Sequence, residues 1–265
     1  MDPISIIGIV GAIVALLIGA LWEGTSPLAL INVPAMLIIV GGTTGATVAC
    51  FSFEEAKKLF SSLKLAFIKR NYTIENIFET FGELATLARR DGLLVLEHHP
   101  INIDSTLLKR GVRLVVDGTE PNLLKELLGG ELATSEEKAK TQAAILMSAG
   151  GFAPTMGIIG TVMGLVNVLG SLDNPDELGP LIAGAFLATL YGIAGANVIL
   201  LPLGKKLTYV AKEDTQAGLL IIEGLISIQS GDNPRMVQEK LLSLIEEKQW
   251  DMLRARQAPA AGGKK

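Results

Sequence analysis

Charge is absent from four long stretches of this 265-residue chain. No Asp, Glu, Lys or Arg lies between Asp2 and Glu23, between Glu23 and Glu54, between Lys140 and Asp173, or between Glu177 and Lys205. An apolar run of about 20 residues is enough to cross the hydrocarbon core of a bilayer, and each gap reaches that length. Cysteine is nearly absent as well. The single Cys50 falls in the second gap, which leaves no disulfide framework and no cysteine-based metal site. The only two histidines, His98 and His99, are neighbours. Adjacent side chains on a helix do not share a face, so a solvated surface is preferred there to a metal site. The sequence has no phosphate loop, no dinucleotide fingerprint and no alternating run long enough for a strand. A net charge of only −4 gives no reason to expect nucleic acid as a partner.

What is present is apolar. Hydrophobic residues make up 49% of the chain and charged residues 19%. The pattern predicts an all-α polytopic membrane protein, with spans at about 3–22, 29–51, 148–172 and 178–203 and an α-helical cytoplasmic domain. The first apolar stretch lacks a basic leader and a small-residue cleavage pattern, so it reads as a retained helix rather than a signal peptide. All 23 Lys and Arg fall in 54–140 or after 204, and the short links 23–27 and 173–177 carry none. By the positive-inside rule, 54–140 and 205–265 are cytoplasmic, the two links face out, and both termini are inside. The expected organisation is 1–53 for the first two spans, 54–140 for the cytoplasmic domain and 141–204 for the last two spans. Cytoplasmic C-terminal helices at 205–254 and a disordered tail at 255–265 complete it.

Within the cytoplasmic part, Ile74, Ile77, Phe78, Phe81 and Leu84 recur at helical spacing behind Thr73 as a candidate N-cap. Ser105 and Gly118 bracket a second helix. Thr119 and Pro121 open a third, for which Gly129–Gly130 is the expected stop. No breaker follows from Thr134 to Gly150, so the third span is expected to begin well inside the cytoplasm. Two further amphipathic helices are expected at 205–231 and 234–256.

Polar groups in the last two spans are few and include Thr161 and Asn167 in the third and Thr189, Tyr191 and Asn197 in the fourth. No Asp, Glu, Lys, Arg or His lies in any span core. A pump or proton relay normally needs one at membrane depth, so a carboxylate would have to come from a partner. This chain could offer hydroxyls and carbonyls, which are suitable ligands for a hard monovalent cation. Against that stands the ordinary role of a membrane threonine, which is to bond the carbonyl one turn back. Gly160 and Gly164 make one small-residue step, and Gly184, Ala188, Gly192 and Ala196 make a stripe with a step of four, both suited to close helix packing. Pro154 and Pro202 stand near the cytoplasmic ends of these spans as kinks or hinges, and Pro202 is expected to end the fourth.

The run "FAPTMGIIGTVMGLVNVLGSLDNPDELGPLIAGAFLATLYGIAGANVILLPL" (152–203) resembles the MotA family of flagellar stator subunits. So do "LARRDGLLVLE" (87–97), "LLKRGVRLVVDG" (107–118) and the order of spans and cytoplasmic insert. The resemblance implies an ion channel subunit of the bacterial inner membrane and not an enzyme. It implies five copies around a dimer of a MotB- or PomB-like partner, which binds peptidoglycan and brings the ion-carrying aspartate. Ion flow would turn the ring, and the cytoplasmic domain would push the rotor protein FliG. By position, the resemblance assigns rotor contact to Arg89 or its neighbour Arg90 and to Glu97, and matches the family's prolines to Pro154 and Pro202. The "GT" at 160–161 and "TLYG" at 189–192 are similar to sodium-type relatives called PomA or MotP. That makes Thr161, Thr189 and Tyr191 the implied ion-pathway residues, with sodium favoured over the proton and no cofactor. Readings from other classes are an oligomeric membrane scaffold and a stator-like motor of another machine of ZorA or ExbB type.

Overall fold

The computed structural model describes residues 3–57, 73–101, 103–245 and 250. The expected tail at 255–265, the end of the last amphipathic helix and part of the 54–140 insert lie outside the described residues. Among the described residues every regular element is a helix, as the charge and hydropathy pattern requires. In chain order these are α1 (Pro3–Trp22), α2 (Val33–Cys50), α3 (Ile74–Asp91), α4 (Thr106–Val116), α5 (Pro121–Gly170), α6 (Pro175–Ala194), α7 (Leu201–Gln229) and α8 (Pro234–Leu242). Short 3-10 turns cover Pro27–Leu30 and Leu93–Glu97, and a π-helical segment, Gly195–Leu200, joins α6 to α7. Four of these helical stretches are long and apolar enough to cross a membrane: Ile4–Trp22, Pro27–Cys50, part of Pro121–Gly170 and part of Pro175–Gln229.

The chain divides into two compact units, residues 1–69 with 138–211 and residues 70–137 with 212–265. The second unit has an ordinary globular core. Ile77, Phe78, Phe81 and Leu84 of α3 pack with Leu108 and Val112 of α4, Leu124 and Leu128 of α5, Leu220 and Leu225 of α7, and Val237 and Leu241 of α8. Each such side chain contributes about 1.5–3 kcal/mol by leaving water. Caps set the helix starts. Thr73 and Asn76 form a reciprocal capping box at α3, which satisfies two backbone donors that the first turn cannot serve. Ser105 caps α4 and Asn233 caps α8. Gly118, at φ +74°, provides the left-handed turn that stops α4.

The first unit is built the other way round. Its outward side chains are apolar: Ile7, Leu37, Val162 and Phe186 are all well exposed. A surface of that composition suits hydrocarbon or neighbouring apolar helices rather than water. Many of its buried residues are small, such as Ala153, Ala185, Ala188 and Ala196, beside a cluster of Leu146, Leu203 and Leu207.

Two expected stops are not stops. Helix α5 runs through Gly129–Gly130 without interruption. Glycine inside a helix costs only about 1 kcal/mol relative to alanine, and the fifty-residue helix tolerates it. The helix does not stop at Pro202 either. The preceding turn widens to a π form, where the Leu201 N–H bonds the Ala196 carbonyl, and the α-helix resumes as α7. A proline ring clashes with the carbonyl four residues back and cannot donate to it, and a π turn is one way to make room.

Candidate functional site

The candidate site lies where α5 and α6 touch. Three glycines of α5 at 157, 160 and 164 fall on one face, and small residues of α6 meet them. A Cβ on Gly160 would sit 2.8 Å from Ala188 Cβ, and one on Gly164 would sit 2.6 Å from Ala185 Cβ. At Gly157 and Gly192 the two backbones themselves meet, since a Cβ on Gly192 would lie 2.5 Å from the Ala153 carbonyl oxygen. Such close approach is how helices associate in lipid, where packing replaces the hydrophobic effect. Gly157 was not singled out from the sequence, although its spacing of three and seven from Gly160 and Gly164 was the available signal. Gly184 belongs to a different contact. It sits beside the Asn32 amide, where a Cβ would come within 2.9 Å of Asn32 Nδ2.

This packing brings Thr161 and Thr189 together. Their hydroxyl oxygens touch. Thr161 Oγ1 also lies 3.1 Å from the Gly157 carbonyl and 3.0 Å from the Ala185 carbonyl, and Thr189 Oγ1 is 3.4 Å from the Gly157 carbonyl. Four oxygens from two helices thus share one half-buried spot with only two hydroxyl protons between them. A hydroxyl has one proton and two lone pairs, so acceptor capacity exceeds donor capacity here. Thr161 therefore makes the ordinary bond one turn back and also belongs to an oxygen cluster.

Tyr191 does not join that cluster. At 3.6 residues per turn, two positions along α6 are about 200° apart, so Tyr191 faces away from Thr189. Its hydroxyl donates to the Leu30 carbonyl and accepts from the Asn32 N–H at 2.8 Å. Asn32 in turn caps α2, its Oδ1 accepting from the Ala35 N–H at 3.0 Å.

Pro154 lies inside α5, one turn before the Gly157–Gly192 contact. Pro202 follows the π segment. The two prolines thus lie on the same side of the tightest part of the α5–α6 interface, toward the start of α5 and the end of the π segment.

The charged candidates lie in the second unit, around the end of α3. Gly92, at φ +86°, ends α3 and lets the chain turn into the 3-10 segment that carries Glu97. Arg90 forms a forked pair with its neighbour Asp91, with Nε 3.0 Å from each carboxylate oxygen and Nη2 2.7 Å from Oδ2. That hydrogen-bonded pairing holds the Asp91 carboxyl below its ordinary value and the Arg90 guanidinium above its own. Arg89 is exposed and has no ion pair among the described residues. Glu97 is exposed on the rim of a hollow of about 290 Å³ that His98, His99, Lys109 and Arg113 also line. Lys109 there pairs with Asp104 at 2.7 Å. Among the described residues no group of histidine, cysteine and carboxylate side chains is placed to hold a metal ion.

Comparison with known proteins gives a consistent result. Residues 100–217 match the MotA/TolQ/ExbB proton channel family, and residues 6–92 match the family described as Motility protein A N-terminal. The chain is 39% identical to Motility protein A of Bacillus subtilis over 100% of its own length and 98% of that protein's. It is 32% identical to the chemotaxis protein PomA of Vibrio alginolyticus, covering 93% of this chain and 96% of that one. Among solved structures, a chain of the flagellar MotAB stator complex from Bacillus subtilis superposes with a TM-score of 0.86 at 38% identity, covering 96% of this chain and 99% of that chain.

Proposed function

The chain belongs to the MotA/TolQ/ExbB proton channel family as a MotA-type flagellar stator subunit, and on that premise we propose that it conducts sodium jointly with a MotB-like partner and turns that flow into torque on FliG. The partner supplies the ion-carrying carboxylate, because the spans of this chain contain none. Five copies of this chain surround a partner dimer in the inner membrane, with both termini and the second unit in the cytoplasm. Thr161 and Thr189 are the chain's own ligands on the cation's path.

The observation that carries the sodium reading is the four-oxygen cluster of Thr161 Oγ1, Thr189 Oγ1, the Gly157 carbonyl and the Ala185 carbonyl. Neutral oxygens whose lone pairs outnumber the protons offered to them suit a hard monovalent cation that must bind weakly enough to leave again. Proton conduction is the second reading. It is favoured by the 3.1 Å bond from Thr161 to the carbonyl one turn back, which is all that a packing threonine requires.

Arg89 and Glu97 are the proposed rotor contacts, since Arg89 keeps its charge free of any intramolecular pair among the described residues while Arg90 shares its own with Asp91. Pro154 and Pro202 act as the hinge that lets the inner ends of α5 and α6 shift as the cation passes. The test is the swimming speed of cells that carry this chain and its partner as their sole stator, with external sodium varied at fixed pH. Speed that rises and saturates with sodium supports the reading. Speed indifferent to sodium and dependent on the proton gradient replaces sodium with the proton.

A further inference from the structure

Tyr191 is a residue whose hydroxyl the proposed ion path leaves unused. Residues 23–32 connect α1 to α2 and include a 3-10 turn, Pro27–Leu30, and an extended cap at Asn32. Irregular backbone next to an apolar span needs partners for its N–H and C=O groups, because hydrocarbon offers none. The Leu30 carbonyl and the Asn32 N–H point the same way and are met by one atom, the Tyr191 hydroxyl oxygen. Only a side chain that both donates and accepts, at the reach of a phenol ring, can serve the two at once. Gly184, nearly two turns earlier on α6, lets the Asn32 amide approach.

Helix α6 is therefore gripped on two sides. On one side Ala185, Ala188 and Gly192 lie against the glycines of α5, with Thr189 held against Thr161. On an adjacent side, about 100° round the helix from Gly192, Tyr191 is tied to the start of α2. A helix fixed only along one face is free to roll by small angles about that face. The second attachment, added to the packing of α6 along α2, limits that freedom, and one group whose position follows the roll is Thr189, two residues away.

We infer that Tyr191 is a positioning residue for the cation path: its hydroxyl bridge from α6 to the Leu30–Asn32 link sets the rotation of α6 and so holds the Thr189 hydroxyl at the four-oxygen cluster. The inference rests on the cation reading of that cluster. It also makes the α1–α2 link, a segment with no residue in the path, a place from which the path is tuned.

The test uses the full chain co-produced with its partner, comparing the wild type, Tyr191→Phe and Ile39→Ala. The last thins the buried face of α2 without touching the hydroxyl bridge. The amount of assembled complex and the sodium concentration for half-maximal flux are measured for each. Tyr191→Phe should assemble and raise the half-saturating sodium about fivefold, the effect of losing one ordinary hydrogen bond's worth of positioning. Ile39→Ala should lower the yield of complex and leave half-saturation where it was. An unchanged half-saturation in Tyr191→Phe overturns the inference, as does an equal shift in Ile39→Ala. If the wild type itself shows no sodium dependence, the sodium reading fails separately. The bridge is then read from the pH midpoint of proton flux: a shift in Tyr191→Phe alone upholds the positioning role, and coincident midpoints overturn it.

Discussion

The hydroxyl of Thr161 on α5 meets the hydroxyl of Thr189 on α6, with the Gly157 and Ala185 carbonyls within 3.1 Å of Thr161 Oγ1. This contact exists because glycines at 157, 160, 164 and 192 let two helix backbones close on each other. The first consequence is chemical. Thr161→Val keeps the shape of the side chain and removes its oxygen. The complex should still assemble, and the sodium concentration for half-maximal rotation should rise about fivefold to tenfold, the equivalent of one lost oxygen ligand at about 1–1.5 kcal/mol. Speed curves against sodium that overlay those of the wild type would return Thr161 to a packing role.

Gly192→Ala tests the packing itself. The added methyl would lie 2.5 Å from the Ala153 carbonyl and 3.1 Å from Gly157 Cα. Both are backbone atoms that cannot swing aside. Overpacking of this kind costs about 1–3 kcal/mol, so the amount of folded protein recovered from membranes should fall. Gly151→Ala is the matched control, because nothing lies within 4 Å of its Cβ position, and it should be recovered at least as well as the wild type.

Gly129→Ala and Gly130→Ala should stabilise the protein. Both glycines are inside α5 with nothing within 4 Å of a Cβ, and alanine is the better helix former by about 1 kcal/mol. Thermal unfolding of the detergent-purified protein should shift upward for each. A downward shift would show that these glycines serve a bend or a contact.

Reversing charge separates the two arginines. Arg89→Glu should weaken torque while the assembled channel still carries ions. Arg90→Glu should do less, because its charge already faces Asp91 in a forked pair. The measurement is torque per stator from bead rotation alongside ion flux. Equal losses of torque from both variants would contradict the assignment to Arg89.

Asp232 gives a pH dependence with a definite sign. Its carboxyl is held below the ordinary value first by the hydrogen bond from Lys240 and then by that from Ser227, each at 2.5 Å. A carboxyl whose pKa is depressed on folding contributes stability that is fully present above its unfolded pKa of about 3.9 and is lost as pH falls through the folded value. Stability against urea should therefore decline below about pH 4. Asp232→Asn should be less stable than the wild type at neutral pH and should converge with it at acid pH. Parallel curves at all pH values would remove Asp232 from the account.

Much of the architecture was legible in the sequence, because the absence of charge over a membrane-length run has few other meanings. Thr73, Ser105 and Gly118 were legible as caps and stops for the same local reasons that make them work. Gly129–Gly130 misled, because a breaker's cost is local and the packing on either side outweighs it. Thr161 and Thr189 were legible as polar groups in apolar helices, but their contact depends on the register of α5 against α6, which no local pattern specifies. Tyr191 was grouped with Thr189 through the likeness of "TLYG" at 189–192 to sodium-type relatives. The angular step of the helix separates them, and the Leu30–Asn32 link that Tyr191 serves is more than 150 positions away.

The central claim, that this chain lends oxygen ligands to a cation path completed by a partner's carboxylate, is tested most directly by ion uptake. Cells co-producing the chain and its partner, with the partner's gating segment removed, are loaded at fixed pH over a range of external sodium. The account predicts saturable sodium uptake that disappears when the partner's aspartate is replaced and that needs higher sodium in Thr161→Val. Cytoplasmic acidification without sodium uptake, unaffected by Thr161→Val, would contradict the ligand role. No aspartate-dependent flux of either ion from an assembled complex would contradict the channel itself.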